Sequence, residues 1–146
     1  MDDSSKKLKT SGRFAKILGG IEHFAKIELL VDFTAQEKQV VFAPSLLLEK
    51  EKHTKPFREA WMRGAEVGIT FAMKQCNISS YIVTITKIEG TYVDTNPTIV
   101  GAAAIDAIWK LYHFEDLEKK NMVEEIVRAS WKRSEDDVPD FSENKS

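Results

Sequence analysis

The chain has 146 residues, 42% hydrophobic and 30% charged, with a formal net charge of −2. This is enough chain to bury a core of its own as one domain, and the mixture excludes fibrous and disordered classes. No apolar run approaches the roughly 20 residues of a bilayer span.

The opening stretch "MDDSSKKLKTSGRF" lacks the apolar core of a secretory signal. A lone cysteine, Cys76, cannot form an internal disulfide and points to a reducing, cytoplasmic setting. Charge is spread unevenly. Residues 1–16 carry Lys6, Lys7, Lys9, Arg13 and Lys16 against Asp2 and Asp3, and read as a flexible, mildly basic arm.

"GGIEHFAKIELLVDF" from Gly19 opens with two glycines and then alternates. Ala25, Ile27, Leu29, Val31 and Phe33 fall on one side, as in a strand with one buried face. "QVVFAP" predicts a short second strand ended by Pro44, and "SLLLEKEKHTK" a helical turn or long loop. A helix is expected over 57–76, because Phe57, Trp61, Gly64, Gly68 and Phe71 keep helical spacing, with Asn77 as its stop. Gly64 and Gly68 each cost roughly 1 kcal/mol of helix propensity, so a close approach of the helix backbone to a sheet is expected there.

"SSYIVTITKIEGTYVDT" is the strongest strand signal, with a turn at Gly90 and a short return strand in "TYVD". Asn96 and Pro97 then read as the cap and first residue of an alanine-rich helix, "TIVGAAAIDAIWKLY". Around "NMVEEIVRASWKR", Val123, Ile126, Val127 and Trp131 share a face of a third helix, expected to bury it against the domain or against a second copy. "SEDDVPDFSENKS" carries five acids and one lysine and reads as a disordered acidic tail.

No catalytic constellation emerges. His23, His53 and His113 are scattered without metal-site spacing, no phosphate-loop pattern occurs, and no cofactor is implied. Trp109 and Trp131 are candidate interface aromatics.

The order of elements, with Gly19, Gly20, Phe24, Ala25, Ile27, Leu29 and Val31 followed by Phe42, Gly64 and the run Gly90, Tyr92, Val93, Asp94, Thr95, resembles the fourth domain of elongation factor G and related translational GTPases. The resemblance implies the α+β fold of ribosomal protein S5 domain 2: about four strands with two helices on one face, and a left-handed βαβ crossover. It covers residues 17–112; the extra C-terminal helix at 113–133, expected to help cover the opposite sheet face within the chain or by pairing protomers, and the tail at 134–146 have no counterpart in it. It also implies two tip loops contacting nucleic acid or a partner, here Gly19, Gly20 and His23 in one and Tyr92, Asp94, Thr95 and Asn96 in the other. Lys6, Lys7, Lys9 and Arg13 would assist from the arm. Where the family carries an arginine-glycine-glutamine run, this chain has Ile21, Glu22 and His23, which removes a bidentate phosphate donor. Two functions are therefore expected in competition. One is a non-catalytic RNA- or ribosome-associated binding module. The other is a protein–protein or homo-oligomeric adaptor without nucleic-acid binding; neither uses a membrane or a small-molecule substrate.

Overall fold

The computed structural model describes residues 7–49, 55–91, 94–132 and 141. Four strands, β1 (Lys7–Leu18), β2 (Ile21–Asp32), β3 (Lys38–Glu49) and β4 (Tyr81–Glu89), form one sheet. Three helices follow or interrupt them: α1 (Lys55–Gln75), α2 (Pro97–Leu111) and α3 (Leu117–Arg128), the last followed by a 3₁₀ turn at Ser130–Lys132. Strand order is β1-β2-β4-β3, with β1–β2 and β2–β4 antiparallel and β3–β4 parallel. The fold is the expected α+β class, a four-stranded mixed sheet with its helices as a second layer.

The first correction lies at the N-terminus. Residues 7–16 are not a flexible arm but most of β1, a full-length partner of β2 from Lys7↔Asp32 to Leu18↔Ile21. Alternation is weak in "KLKTSGRFAKIL" because only Gly12 and Leu18 are buried along it. The glycine pair is the turn that joins the two strands. Gly19 and Gly20 have φ of +60° and +79°, and positive φ at both central positions is the type I′ geometry that matches strand twist.

Strand β3 also runs further than expected, through Pro44 to Glu49. It lies at a sheet edge, where a missing N–H is tolerated, and its register to β4 shifts between Phe42 and Leu47. The expected return strand at 91–94 falls partly on Tyr92 and Val93, outside the described residues; Asp94 sits in a turn.

The inward sheet face carries Ala25, Ile27, Leu29, Val31, Tyr81, Val83, Ile85 and Ile88, all sealed by α1 and α2. Helix α2 is buried from Pro97 through Ile105, which explains its alanines: it lies between α1, β1 and α3 and has no solvent face to spare. A Cβ on Gly64 would stand 2.2 Å from Pro97 O, and one on Gly68 would stand 2.3 Å from Gly101 O. The close approach is therefore real, but its partner is α2 and not the sheet. Gly12 provides the same seat from below, where a Cβ would meet Ala103 O at 2.3 Å.

Helix ends follow the sequence signals closely. Asn96 Oδ1 accepts from Ile99 N at 2.9 Å with Pro97 behind it. Asn77 (φ +61°) closes α1, with its N–H on Lys74 O and Ile78 N–H on Met73 O, the paired bonds of a Schellman end.

Helix α3 does bury Val123 and Val127, with Ile126 and Trp131 half-buried. It packs beside α2, however, in the helical layer, not on the opposite sheet face. The outer residues of β2 and β4 mix Phe24, Leu30 and Ile82 with Lys26, Glu28, Asp32, Thr84, Thr86, Lys87 and Glu89, all half-buried, so that face is part polar and carries no continuous apolar layer. The tail expectation fails at one described residue: Phe141 is 1% exposed and packs on Phe71, with ring centroids 5.8 Å apart.

Candidate functional site

Of the two loops singled out by sequence, the one before α2 is bonded to β2 at Phe24, beyond the Gly19–Gly20 turn. Phe24 N–H donates to Asp94 O at 2.8 Å, and the Thr95 hydroxyl donates to Phe24 O. Thr91 N–H returns to Thr95 Oγ1 at 2.9 Å, and Asp94 N–H to Thr91 Oγ1 at 3.0 Å. Gly90 is small because a Cβ there would strike the Thr95 side chain. The loop before α2 is thus stitched to β2 beyond the Gly19–Gly20 turn. A third piece joins them: Asn96 Nδ2 donates to Ser130 Oγ at 2.8 Å, and that hydroxyl donates to Val127 O.

Three of the predicted contact residues are taken up inside the chain. Thr95 and Asn96 are buried and satisfied within the chain. His23 is 1% exposed, its Nδ1 lies 2.7 Å from Ile21 O, and its ring stacks at a tilt on Trp131 with centroids 6.2 Å apart. A carbonyl only accepts, so Nδ1 carries the proton. These three residues shape the end of the sheet and do not present themselves to a partner. Tyr92 and Lys6 lie outside the described residues. Asp94 is half-buried with its backbone engaged.

What the hairpin does present is apolar. Ile17 is 71% and Ile21 50% exposed, on either side of two exposed glycines. The nearby cations are already partnered: Lys16 pairs with Glu124, and Arg128 Nε lies 3.5 Å from Glu125. Exposed isoleucines at a turn are the signal that sequence reading passed over; both stand next to the glycine pair that drew attention.

The basic residues Lys7, Lys9 and Arg13 are exposed on the outer sheet face. Their cross-strand neighbours differ: Lys7 faces Asp32, Lys9 faces Leu30, and Arg13 faces a like charge, Lys26, which in turn faces Glu89 on β4. The result is a mixed surface, not a basic stripe. Of the two interface tryptophans, Trp109 is core at 8% exposure against Phe71 and Phe114. Trp131 is half-buried over His23.

Among the described residues no three histidines, cysteines or carboxylates come together as metal ligands. Burial pushes the Cys76 thiol above its ordinary value, away from thiolate reactivity. No described helix is long and apolar enough to cross a membrane.

No family model and no curated protein sequence matches the chain. Among solved structures, one from Thermus thermophilus superposes with a TM-score of 0.57 at 19% identity, over 72% of this chain and 15% of that one. The chain therefore spans about a seventh of that protein's length, and the likeness is one of fold. A mevalonate kinase from methicillin-resistant Staphylococcus aureus reaches a TM-score of only 0.36 at 10% identity, over 86% of this chain and 45% of the kinase. That superposition is too loose to bear on this chain's fold or chemistry.

Proposed function

We propose that this chain is a non-catalytic, cytoplasmic protein-binding module that engages its partner with the end of the β1–β2 hairpin. One observation supports this above the rest: Ile17 and Ile21 stand exposed beside a rigid type I′ turn whose neighbouring cations are neutralised. Apolar side chains on a stiff support gain from burial in a protein interface and lose little entropy there. A phosphate backbone offers them nothing, and Glu22 beside them repels it.

A ribosome- or RNA-associated role is the second reading. It is supported by the bonding of the loop at 94–95 to Phe24 of β2, on the strand that leaves the glycine turn, and by the resemblance to the elongation factor domain. A photo-crosslinking residue at position 17, used in living cells, separates the two. Discrete protein adducts that disappear with Ile21→Asp support the first reading. Adducts to ribosomal RNA, together with binding of a single-stranded RNA that weakens steeply as salt rises, would replace it with the second.

A further inference from the structure

β1 is an edge strand, and its edge opens into a groove. The two-residue turn closes on the Leu18–Ile21 pair, so the even-numbered residues of β1 exchange hydrogen bonds with β2. Odd-numbered residues point their N–H and C=O away from the sheet. Arg13 confirms this phase, because its N–H donates outward to Asp106 Oδ2 on α2 at 3.0 Å. Ala15 and Ile17 follow in the same phase, with no hydrogen-bond partner for their backbone among the described residues.

Helix α3 runs alongside this edge in the same direction. Lys16 pairs with Glu124, and Arg128 Nη1 lies 3.9 Å from where a Gly19 Cβ would stand. Between strand edge and helix lies a cavity of about 220 Å³, with apolar walls from Phe14, Ala102, Ile105, Trp109 and Val123. It shares Asp106, Trp109 and Lys120 with a second cavity of about 520 Å³ towards Phe114 and Leu117. An edge strand facing a helix across an apolar trough is the arrangement that accepts an extended peptide by strand addition.

The charges select the peptide. β1 carries Lys7, Lys9, Arg13 and Lys16 and no acid. Of the acids that line the trough, Asp106 is held by Arg13 N–H and by Lys110 at 3.6 Å, and Glu124 by Lys16. Arg13 and Lys120 have no ion-pair partner among the described residues. Lys9 and the unpaired Arg13 on a second copy oppose pairing of β1 with itself.

The geometry points to this groove as a docking site for an extended segment of another protein in which apolar and acidic residues alternate. The segment adds as a fifth strand at Ala15–Ile17, its apolar side chains enter the trough, and its carboxylates meet Arg13 on the outer face. The assignment rests on the protein-binding reading and gives it a second contact surface, adjacent to Ile17.

The probe is a fluorescein-labelled, end-blocked peptide alternating glutamate with valine or leucine, titrated into the full chain and followed by anisotropy. Saturable binding is expected, weakened roughly tenfold or more by Arg13→Glu. Ala15→Pro removes one outward N–H without touching the β1–β2 ladder, and an edge strand tolerates it. It is expected to cost at least as much binding while leaving the thermal melt in place. A peptide with lysine for glutamate should bind wild type worse and Arg13→Glu better. The assignment is overturned by no saturation at about 1 mM, by equal binding of the two peptides, or by an unchanged affinity in Ala15→Pro. A wild-type dimer in light scattering that Ala15→Pro dissolves also overturns it, since a second copy then occupies the edge. Crosslinking at position 17 is read separately: protein adducts that persist when the peptide fails leave the hairpin-end reading standing without this groove.

Discussion

Gly64 and Pro97 touch backbone to backbone, so that even one added methyl group on Gly64 would lie 2.2 Å from the Pro97 carbonyl oxygen. Neither partner is a flexible side chain tip that could swing aside. Gly64→Ala is therefore expected to push α1 and α2 apart and cost about 3 kcal/mol by overpacking. At this chain length that is roughly 6–12 °C in Tm. A drop of only a degree or two in differential scanning calorimetry would show that the helices separate freely.

Phe141 closes the solvent side of the same seam. A Cβ on Gly101 would meet Phe141 Cε2 at 2.7 Å and Gly64 O at 2.9 Å, so ring and helices fit without slack. Phe141→Ala should leave a cavity and cost about 3 kcal/mol. Truncation before Phe141 should cost a similar amount. A truncated chain that melts with wild type would mean that the ring adds nothing to the core.

The hairpin turn predicts an asymmetric tolerance. Gly19→Asn should be close to neutral, because Asn-Gly is the preferred type I′ pair. Gly20→Val places a branched side chain at φ +79° and should cost about 1–2 kcal/mol. Urea midpoints of the two variants provide the comparison, and equal midpoints would contradict the turn assignment.

Alkaline pH should destabilise the fold. Burial raises the Cys76 thiol above its ordinary value, and burial likewise raises the Tyr81 and Tyr112 phenols. Below the ordinary thiol value of about 8.5, folded and unfolded chains both hold the proton and nothing is lost. Above it the unfolded chain ionises first, so stability falls from about pH 8.5, and further above about pH 10 as the phenols join. Cys76→Ala should remove the first part of the decline. Melts from neutral to strongly alkaline pH that stay level would refute the assignment.

How far the sequence reaches can be judged from particular residues. Asn96-Pro97 and Asn77 declare their helix ends because capping is local chemistry, and both act as read. β2 and β4 declare themselves because one face of each is buried and the other is not. β1 is silent for the converse reason: an edge strand with so few buried residues has no pattern to show. Gly64 and Gly68 announce a close approach but not its partner, since a missing Cβ is equally useful against a sheet or a helix. The candidate contacts His23, Thr95 and Asn96 were legible as special residues. Their role as internal fastenings depends on Ser130 and Trp131, which lie more than thirty residues away from Asn96 in the chain.

The seating of α2 on glycines from both sides has a consequence for the way the molecule breathes. A helix held backbone to backbone by Gly64 and Gly68 on one flank and Gly12 on another cannot rotate or slide by fractions; it is either seated or released. Its amides should therefore exchange with solvent deuterium only when the whole domain opens, and should all report the same free energy. The outward amides of Ala15 and Ile17 should exchange in the fast limit, unprotected by any ladder. The molecule thus combines an unyielding axis with one open margin, and slow and fast exchange should divide along β1 itself, alternating residue by residue from Phe14 to Leu18, past the Arg13 amide that Asp106 holds.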